Sequence, residues 1–321
     1  MNPENKLISI QKRVALTDTE KAEGRGRLLA HMALTKRKAE PSPLSFMAVM
    51  QVRYGAAFLA LLLLSGGGVL AASEDATPGD TLYGVKLTVT EPTLVALTFN
   101  RKEKAALEVE YAERRLKELT VASKAKTLDE GTTRLIAASL ENRIEGAEEE
   151  ISELVREGEG GDAYHANSEL RGVLSTHAKI LKKVAGEDPT LAAISLQIEA
   201  SATASVAAEP ELTAALDSQE SRGVLRESVE ESQEEVVAIL EDLRIDMESA
   251  STTLDQDDHV TLTDSLSEVT GILEAATREK DEGSAKEALK LYSSADSMLG
   301  ELKTLIEAEQ ELGLDLIGGE E

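Results

Sequence analysis

Apolar residues recur at alternating intervals of three and four positions through most of the chain after residue 100. This spacing places them on one stripe of an α-helix, as in the packing of antiparallel coiled coils. The stripes of the first half contain Ala105, Val109, Ala112, Leu116, Leu119; Leu140, Ile144, Ala147, Ile151, Leu154; and Leu170, Leu174, His177, Leu181, Val184. Those of the second half contain Leu225, Val229, Val236, Leu240, Leu243, Met247; Leu262, Leu266, Val269, Leu273, Ala276; and Leu289, Tyr292, Leu299, Leu302, Ile306. The pattern predicts an all-α fold of long antiparallel helices.

Breaks between these stripes divide the chain into predicted segments. An isolated amphipathic helix is marginal in water, so each set of three stripes is expected to form a bundle-like unit. The segments are a basic tail (1–53), an apolar span (54–72), a first helical unit (73–187), a connector helix (188–208), a second helical unit (209–312) and a flexible acidic end (313–321).

The apolar span, YGAAFLALLLLSGGGVLAA, runs for 19 residues without a charge. At about 1.5 Å of rise per residue, a helix of this length covers roughly 28 Å, close to the ~30 Å hydrocarbon core of a bilayer. A helix satisfies its own backbone groups where water is absent. The stretch therefore predicts a single transmembrane helix, with the lipid bilayer as its partner through residues 54–72.

Two other interpretations of the span remain open. Val69-Leu70-Ala71 and Leu70-Ala71-Ala72 offer small residues suited to signal-peptide cleavage. Against cleavage, 53 residues precede the span, and the apolar run exceeds the usual 7–15 residues of a signal peptide. The third interpretation is a buried core helix of a soluble protein, for which 19 uncharged residues are long.

Charge predicts the orientation of the span. Residues 1–53 carry ten Lys/Arg and five Asp/Glu, whereas the remainder carries 24 Lys/Arg and 55 Asp/Glu. Lys36, Arg37, Lys38 and Arg53 lie close before the span, and the first cation after it is Lys86. By the positive-inside rule the N-terminus is cytoplasmic and residues 73–321 lie outside the cytoplasmic membrane.

Composition limits the function of the external part. Its net charge of −31 disfavours binding to nucleic acid or to an anionic membrane surface. Such acidity could hold divalent cations loosely, or could simply solvate the helices. The chain contains no cysteine, so its stability must come from packing without disulfides.

No pattern of residues indicates an enzyme, a cofactor site or a metal site. The four histidines are far apart and lack an HExxH spacing; His177 lies in an apolar stripe and is expected to be a hydrogen-bonded core residue. The stretch DQDDH at 255–259 begins like a calcium loop, but Val260 and Leu266 occupy the places of the required glycine and glutamate. Phosphate-loop, dinucleotide and nucleophile-elbow motifs are missing.

A short box, PGDTLYGVK at 78–86, follows the span. Pro78 and Gly79 predict a tight turn, and Asp80 is expected to cap the short helix that follows. The side chains of the rest of the box, Leu82, Tyr83, Val85 and Lys86, are expected to pack onto the helical unit. The favoured interpretation is a structural docking turn, and the alternative is a ligand site with Tyr83 and Lys86 as its polar groups.

Three segments resemble an uncharacterised bacterial domain-of-unknown-function family of single-pass membrane proteins. They are PGDTLYGVK, RKEKAAL at 101–107 and YAERRLKEL at 111–119. Family members follow an anchor with a P-G-D-x-L-Y-x-V-K box and a helix that ends in A-E-R-R-L-x-E. The resemblance covers residues 73–186, including THAKIL at 176–181, and extends weakly over 20–72 through EKAEGRGRLL.

The resemblance implies a single-pass helical protein and supplies no activity or catalytic residue. One departure is Gly84, where relatives tend to have proline, and residues 190–321 are not covered. Some members have the layout of membrane-bound anti-sigma regulators.

Two functions compete. The first is a scaffold or interaction protein of the cell envelope, which binds an unidentified protein partner through its external helices. The second is a transmembrane signalling regulator of anti-sigma type. In that case a cytosolic partner would bind the small apolar face that Leu28, Leu29 and Met32 form on the tail.

Overall fold

Helices make up nearly all of the chain that the structure describes. The computed structural model describes residue 19 and residues 72–126, 129–186, 188–222, 225–250, 256–313 and 316–317. Apart from Ala72, the predicted span lies outside these residues, and so do Leu28, Leu29 and Met32 of the tail. The described ranges contain no strand, and the predicted all-α class is confirmed.

The helices of the described residues follow one another with short connections. They are α1 (Tyr83–Val85), a π-helical turn (Lys86–Thr90), α2 (Glu91–Leu97), α3 (Arg101–Lys124), α4 (Glu130–Glu157), α5 (Gly160–Ala185), α6 (Pro189–Ala207), α7 (Glu209–Arg222), α8 (Leu225–Ala250), α9 (Gln256–Glu282) and α10 (Ala285–Leu312).

Local sequence explains where several of these helices begin and end. The side chains of Asn100, Asp129 and Asp188 accept hydrogen bonds from backbone N–H groups at the starts of α3, α4 and α6. Gly158 closes α4 with φ of +86°, a left-handed conformation that glycine adopts without steric cost. These caps satisfy backbone groups that a helix end leaves without partners.

The three helices α3, α4 and α5 pack against one another as a bundle. The predicted stripes form its core, from Ala105 on α3 to Leu181 on α5, and only Val184 is half-buried. Helix α6 lies along α5 and buries Leu191, Ile194 and Ile198 in the same cluster.

A second hydrophobic cluster surrounds α10, which packs against both α8 and α9. Helix α5 contacts α10 as well as the helices of the first cluster, and its Tyr164 packs against both clusters. The described helices accordingly belong to one compact unit, Gly68–Glu321. After α10 the chain turns back, because Ile317 is buried in the second cluster and the Leu316 N–H donates to Glu309 Oε1.

One helical stretch of the described residues, Pro189–Gln219, is long and apolar enough to cross a membrane. It comprises α6 and most of α7. Its buried residues pack inside the unit, with Ile198 and Leu212 in the first cluster and Leu216 in the second.

Replacing Leu240 with alanine tests the packing of α8. Leu240 is 7% exposed in the second cluster, so we expect the free energy of unfolding to fall. The expected loss is about 2–3 kcal/mol, the lower half of the range for leucine truncations in cores. Glu234→Ala on the exposed side of the same helix should change the free energy of unfolding by less than about 0.5 kcal/mol. Urea unfolding of both variants measures this, and equal losses would mean that the side of α8 facing α10 is misassigned.

Candidate functional site

The PGDTLYGVK box begins with a tight turn. Gly79 has φ of +102°, which favours glycine. Asp80 Oδ2 accepts hydrogen bonds from the Thr77 N–H at 2.8 Å and the Thr77 hydroxyl at 2.9 Å, and these bonds lower the pKa of Asp80. Asp80 therefore closes the preceding turn. The prediction that Asp80 caps the next helix is wrong, because Leu82 occupies the N-cap position of α1.

Behind the turn, Tyr83 and Lys86 reach the same carboxylate on α3. The Tyr83 hydroxyl donates to Glu118 Oε2 at 2.6 Å, and Lys86 Nζ donates to Glu118 Oε1 at 3.0 Å. Lys86 Nζ also donates to the Ala76 carbonyl oxygen at 2.9 Å. Both side chains are buried, while Leu82 and Val85 are half-buried. These contacts match the expected docking of the box onto the helical unit.

Arg115 completes this set of buried charges. Its guanidinium is fully buried and lies 2.9 Å from Glu91 Oε1 and 3.1 Å from Glu118 Oε2. Burial raises the pKa of Glu91, and Arg115 opposes that rise. We name these five residues the box network: Tyr83, Lys86, Glu91, Arg115 and Glu118. Its two cations balance its two carboxylates, as a structural ion network requires.

The box network joins two of the three segments on which the family resemblance rests. Tyr83 and Lys86 belong to the box, while Arg115 and Glu118 belong to the YAERRLKEL segment. Glu118 lies 32 residues after Lys86 and 35 residues after Tyr83 in the sequence. The roles of Glu91, Arg115 and Glu118 were not predicted from the sequence. One signal was present, because the charged residue Arg115 lies directly beside Leu116 of the apolar stripe.

A cavity of about 270 Å³ lies between α3, α5, α8 and α10. Its walls include the apolar side chains of Val173 and Ile239 and the backbone of Gly172 and Gly300. Six carboxylates line it: Glu113, Glu169, Glu235, Asp296, Glu301 and Glu307. Two lysines, Lys117 and Lys303, line it as well.

Three of these carboxylates already have cations. Lys117 Nζ lies 3.0 Å from Glu113 Oε1 and 2.8 Å from Glu307 Oε2, and Lys179 Nζ lies 2.7 Å from Glu301 Oε1. Glu235 lies 3.6 Å from Nε2 of His165.

Glu169 forms no ion pair with the described residues, and Asp296 has only the long pair with His165. Neither accepts a hydrogen bond there, and the nearest basic atom to Asp296 is His165 Nε2 at 4.0 Å. Burial, with Asp296 and Glu235 nearby, raises the pKa of Glu169 to about 8. Burial raises the pKa of Asp296 to about 6, against the opposing effect of His165. The surroundings of both carboxyls therefore favour their protonated forms more than water does.

A preformed metal centre is not present in the described ranges, where no group of three or more His, Cys, Asp or Glu has a suitable arrangement. The same cavity was not predicted from the sequence. One signal was present: Asp296 lies four positions after Tyr292 and three before Leu299, at a place where the spacing of the stripe would put an apolar residue.

His177 is buried, as its place in the apolar stripe predicted, but it is not hydrogen-bonded. Neither ring nitrogen has a partner among the described residues. Burial and the nearby charge of Lys117 lower its pKa to about 3, so the ring is neutral. A small cavity of about 40 Å³ adjoins it.

Residues 75–188 match the family described as "Domain of unknown function (DUF5667)". The matched segment contains the box, the box network and helices α3 to α5. Neither the curated proteins nor the solved structures include a match to this chain. The match supports the uncharacterised family that the sequence resembles and names no activity.

Proposed function

We propose that the chain is a membrane-anchored interaction or scaffold protein of the bacterial cell envelope, with no catalytic activity. The observation that carries the proposal is the box network. It fixes the segment that directly follows the predicted span to α3 through buried ion pairs and hydrogen bonds. Such a fixed attachment suits a protein that presents a rigid helical surface to a partner at a set place.

Residues 54–72 are the better anchor of the two apolar stretches. They carry no charge, whereas Pro189–Gln219 contains Glu199, Glu209, Glu211 and Asp217. Moving the second stretch into a bilayer would also remove Leu191, Ile198 and Leu212 from the first cluster. The charge asymmetry around residues 54–72 favours a cytoplasmic N-terminus.

The absence of cysteine allows a direct test of anchor and orientation. We expect Glu141→Cys on α4 and Glu274→Cys on α9 to react with a membrane-impermeant maleimide on intact, wall-stripped cells. Both side chains are exposed and lie on opposite sides of Pro189–Gln219 in sequence. Ser42→Cys, in the tail, should react only after permeabilisation, and the unaltered chain is the blank.

Each other labelling pattern contradicts one part of the proposal. Different labelling at positions 141 and 274 would make Pro189–Gln219 the spanning helix. Protection of both positions would place the helical unit in the cytoplasm. Tags at the two ends should appear on one band in an immunoblot, and their separation would mean that the span is cleaved.

A further inference from the structure

His177 on α5 is a buried ionisable group that the scaffold function does not use. We propose that it makes the contact between α10 and the first bundle acid-sensitive: protonation of its ring releases the part of α10 after Ser297 from α3 and α5. This conformational change is independent of the proposed function, because it concerns the helical unit alone and holds whether or not the chain is anchored in a membrane.

The surroundings of the His177 ring do not accommodate its charged form. The side chain is 2% exposed, and neither Nδ1 nor Nε2 has a hydrogen-bond partner among the described residues. A protonated imidazole has two N–H donors, and burying both without acceptors costs far more than burying the neutral ring. Protonation therefore favours an arrangement in which water or a carboxylate reaches the ring.

The ring lies at the place where three helices meet. Beside it is the cavity of about 40 Å³, and the lining residues include Thr120 of α3, Ile180 of α5 and Thr304 of α10. Helices α3 and α5 also pack against each other and against α4. Moving the end of α10 away opens the ring to water and leaves this bundle intact.

The contact of α10 with α3 and α5 is weakest around His177. Before this place, α5 and α10 approach so closely that a Cβ added to Gly172 would lie 2.5 Å from Ser297 Oγ. After it, the ion pairs that Lys117 and Lys179 form with glutamates of α10 link the helices. The four side chains of these pairs are 31–66% exposed, and exposed ion pairs contribute little stability. Local opening after Ser297 therefore requires less free energy than unfolding of the whole unit.

The charged groups at this place offer a protonated ring no partner. Those that face His177 are Lys117 on α3 and Glu307 and Glu311 on α10. Lys117 repels a positive ring and lies 2.8 Å from Glu307 Oε2, and Glu311 forms no hydrogen bond with the ring. Burial and the charge of Lys117 lower the pKa of His177 to about 3, against the weaker opposing effect of Glu307.

Acid favours the open form because the ring binds a proton more readily there. In the open form the ring is in water and has its ordinary pKa of 6.5, whereas the closed form holds this pKa at about 3. The stability of the closed contact is complete above pH 6.5 and decreases as the pH falls from 6.5 towards 3. The full difference corresponds to about 25-fold more opening at pH 5 than at pH 7, and we expect at least about tenfold.

Single cysteines on α10 measure this opening, since the chain has no cysteine of its own. Thr304→Cys lies at the proposed opening and Ser293→Cys lies before Ser297; both positions are at most 8% exposed. Dithiodipyridine modifies each thiol in the full chain in detergent at pH 5 to 8, and each rate is divided by the rate in urea at the same pH. We expect the corrected rate at position 304 to rise at least about tenfold from pH 7 to pH 5 and to exceed the rate at position 293 throughout.

Changes at His177 test whether this ring responds to the acid. His177→Leu and His177→Gln, each combined with Thr304→Cys, should abolish the rise between pH 7 and pH 5. Circular dichroism checks folding, and either variant carries the test by itself if the other is unfolded. His259→Gln, at an exposed histidine on α9, is the matched control and should keep the full rise.

Three results would overturn the proposal. Equal corrected rates at positions 293 and 304 would mean that the whole unit unfolds and that the end of α10 is not released locally. A rise at position 304 that persists in the folded His177 variants would assign the response to other groups. A rate at position 304 that is the same at pH 7 and pH 5 would mean that protonation of the ring does not favour the open form.

Discussion

Replacing Arg115 with alanine is expected to lower the free energy of unfolding by about 3–5 kcal/mol, the cost of removing one partner from a buried ion pair. Arg115 is fully buried, and Glu91 beside it is almost as inaccessible. Without the guanidinium, the Glu91 carboxylate keeps one ion pair with the described residues, that with Arg114 at 3.8 Å. Glu118 is less affected, because Tyr83 and Lys86 still donate to it. Urea or thermal unfolding followed by circular dichroism measures the loss.

The neighbouring arginine is the matched control for this prediction. Arg114 is 29% exposed, and its closest partner, Glu110, is largely in solvent. Arg114→Ala should therefore cost no more than about 1 kcal/mol, as exposed ion pairs usually do. If the two alanine variants lose the same stability, the buried network does not hold the box on α3.

A double change separates the lost ion pair from the lost packing of Arg115. Replacing Arg115 with methionine and Glu91 with glutamine removes both charges while keeping side chains of similar length. The double variant should be more stable than Arg115→Met alone, because no buried carboxylate is left without its cation. A double variant that is less stable than the single one would contradict this explanation.

Raising the pH from 5 to 9 is expected to destabilise the unaltered protein by about 3 kcal/mol relative to Glu169→Gln. Glu169 has a folded-state pKa of about 8, above its ordinary value of 4.5. The folded protein thus keeps a proton that the unfolded chain has lost, and the stability that this proton contributes is complete below pH 4.5. It disappears as the pH rises through 8. The full shift would correspond to about 4 kcal/mol over this range, which we reduce for the partial solvent access of Glu169.

The comparison with Glu169→Gln removes the effects of the other titrating groups. His177 acts in the opposite sense, because its folded-state pKa of about 3 lies below the ordinary 6.5 and destabilises the fold as the pH falls through this interval. Both proteins contain His177, so its effect cancels in the difference. Urea unfolding at pH 5, 6, 7, 8 and 9 gives the difference directly. The free energy of unfolding of Glu274→Gln should change with pH as that of the unaltered protein does. The same change with pH for Glu169→Gln would show that Glu169 ionises freely in the fold.

The box network gives a physical reason why the PGDTLYGVK box and the YAERRLKEL segment occur in one chain. Without Glu118, Tyr83 would lose the acceptor of its hydroxyl and Lys86 would keep only the Ala76 carbonyl oxygen. The box and the YAERRLKEL segment therefore supply buried polar partners to each other. The match of residues 75–188 to a family of unknown function spans both halves of this arrangement.

The helices and their buried stripes were predictable from the sequence because amphipathic periodicity is a local property. Ala105, Leu140, Leu174, Leu243 and Leu299 are buried as their spacing predicted. The turn at Pro78 and Gly79 was predictable for the same reason, since the allowed φ and ψ of these residues limit the local backbone.

Only the tertiary structure decided which side chains meet across helices. The sequence predicted that Asp80 caps the helix after it, but the fold of the turn places its carboxylate on the Thr77 N–H before it. Lys86 and Glu118 could each have remained in water, and the docking of the box buried them together. Asp296 interrupts a stripe in the sequence, but its position at a cavity depends on α3, α5 and α8 converging beside α10. Burial and charge pairing depend on contacts between residues far apart in the chain, and the period of one helix carries no information about them.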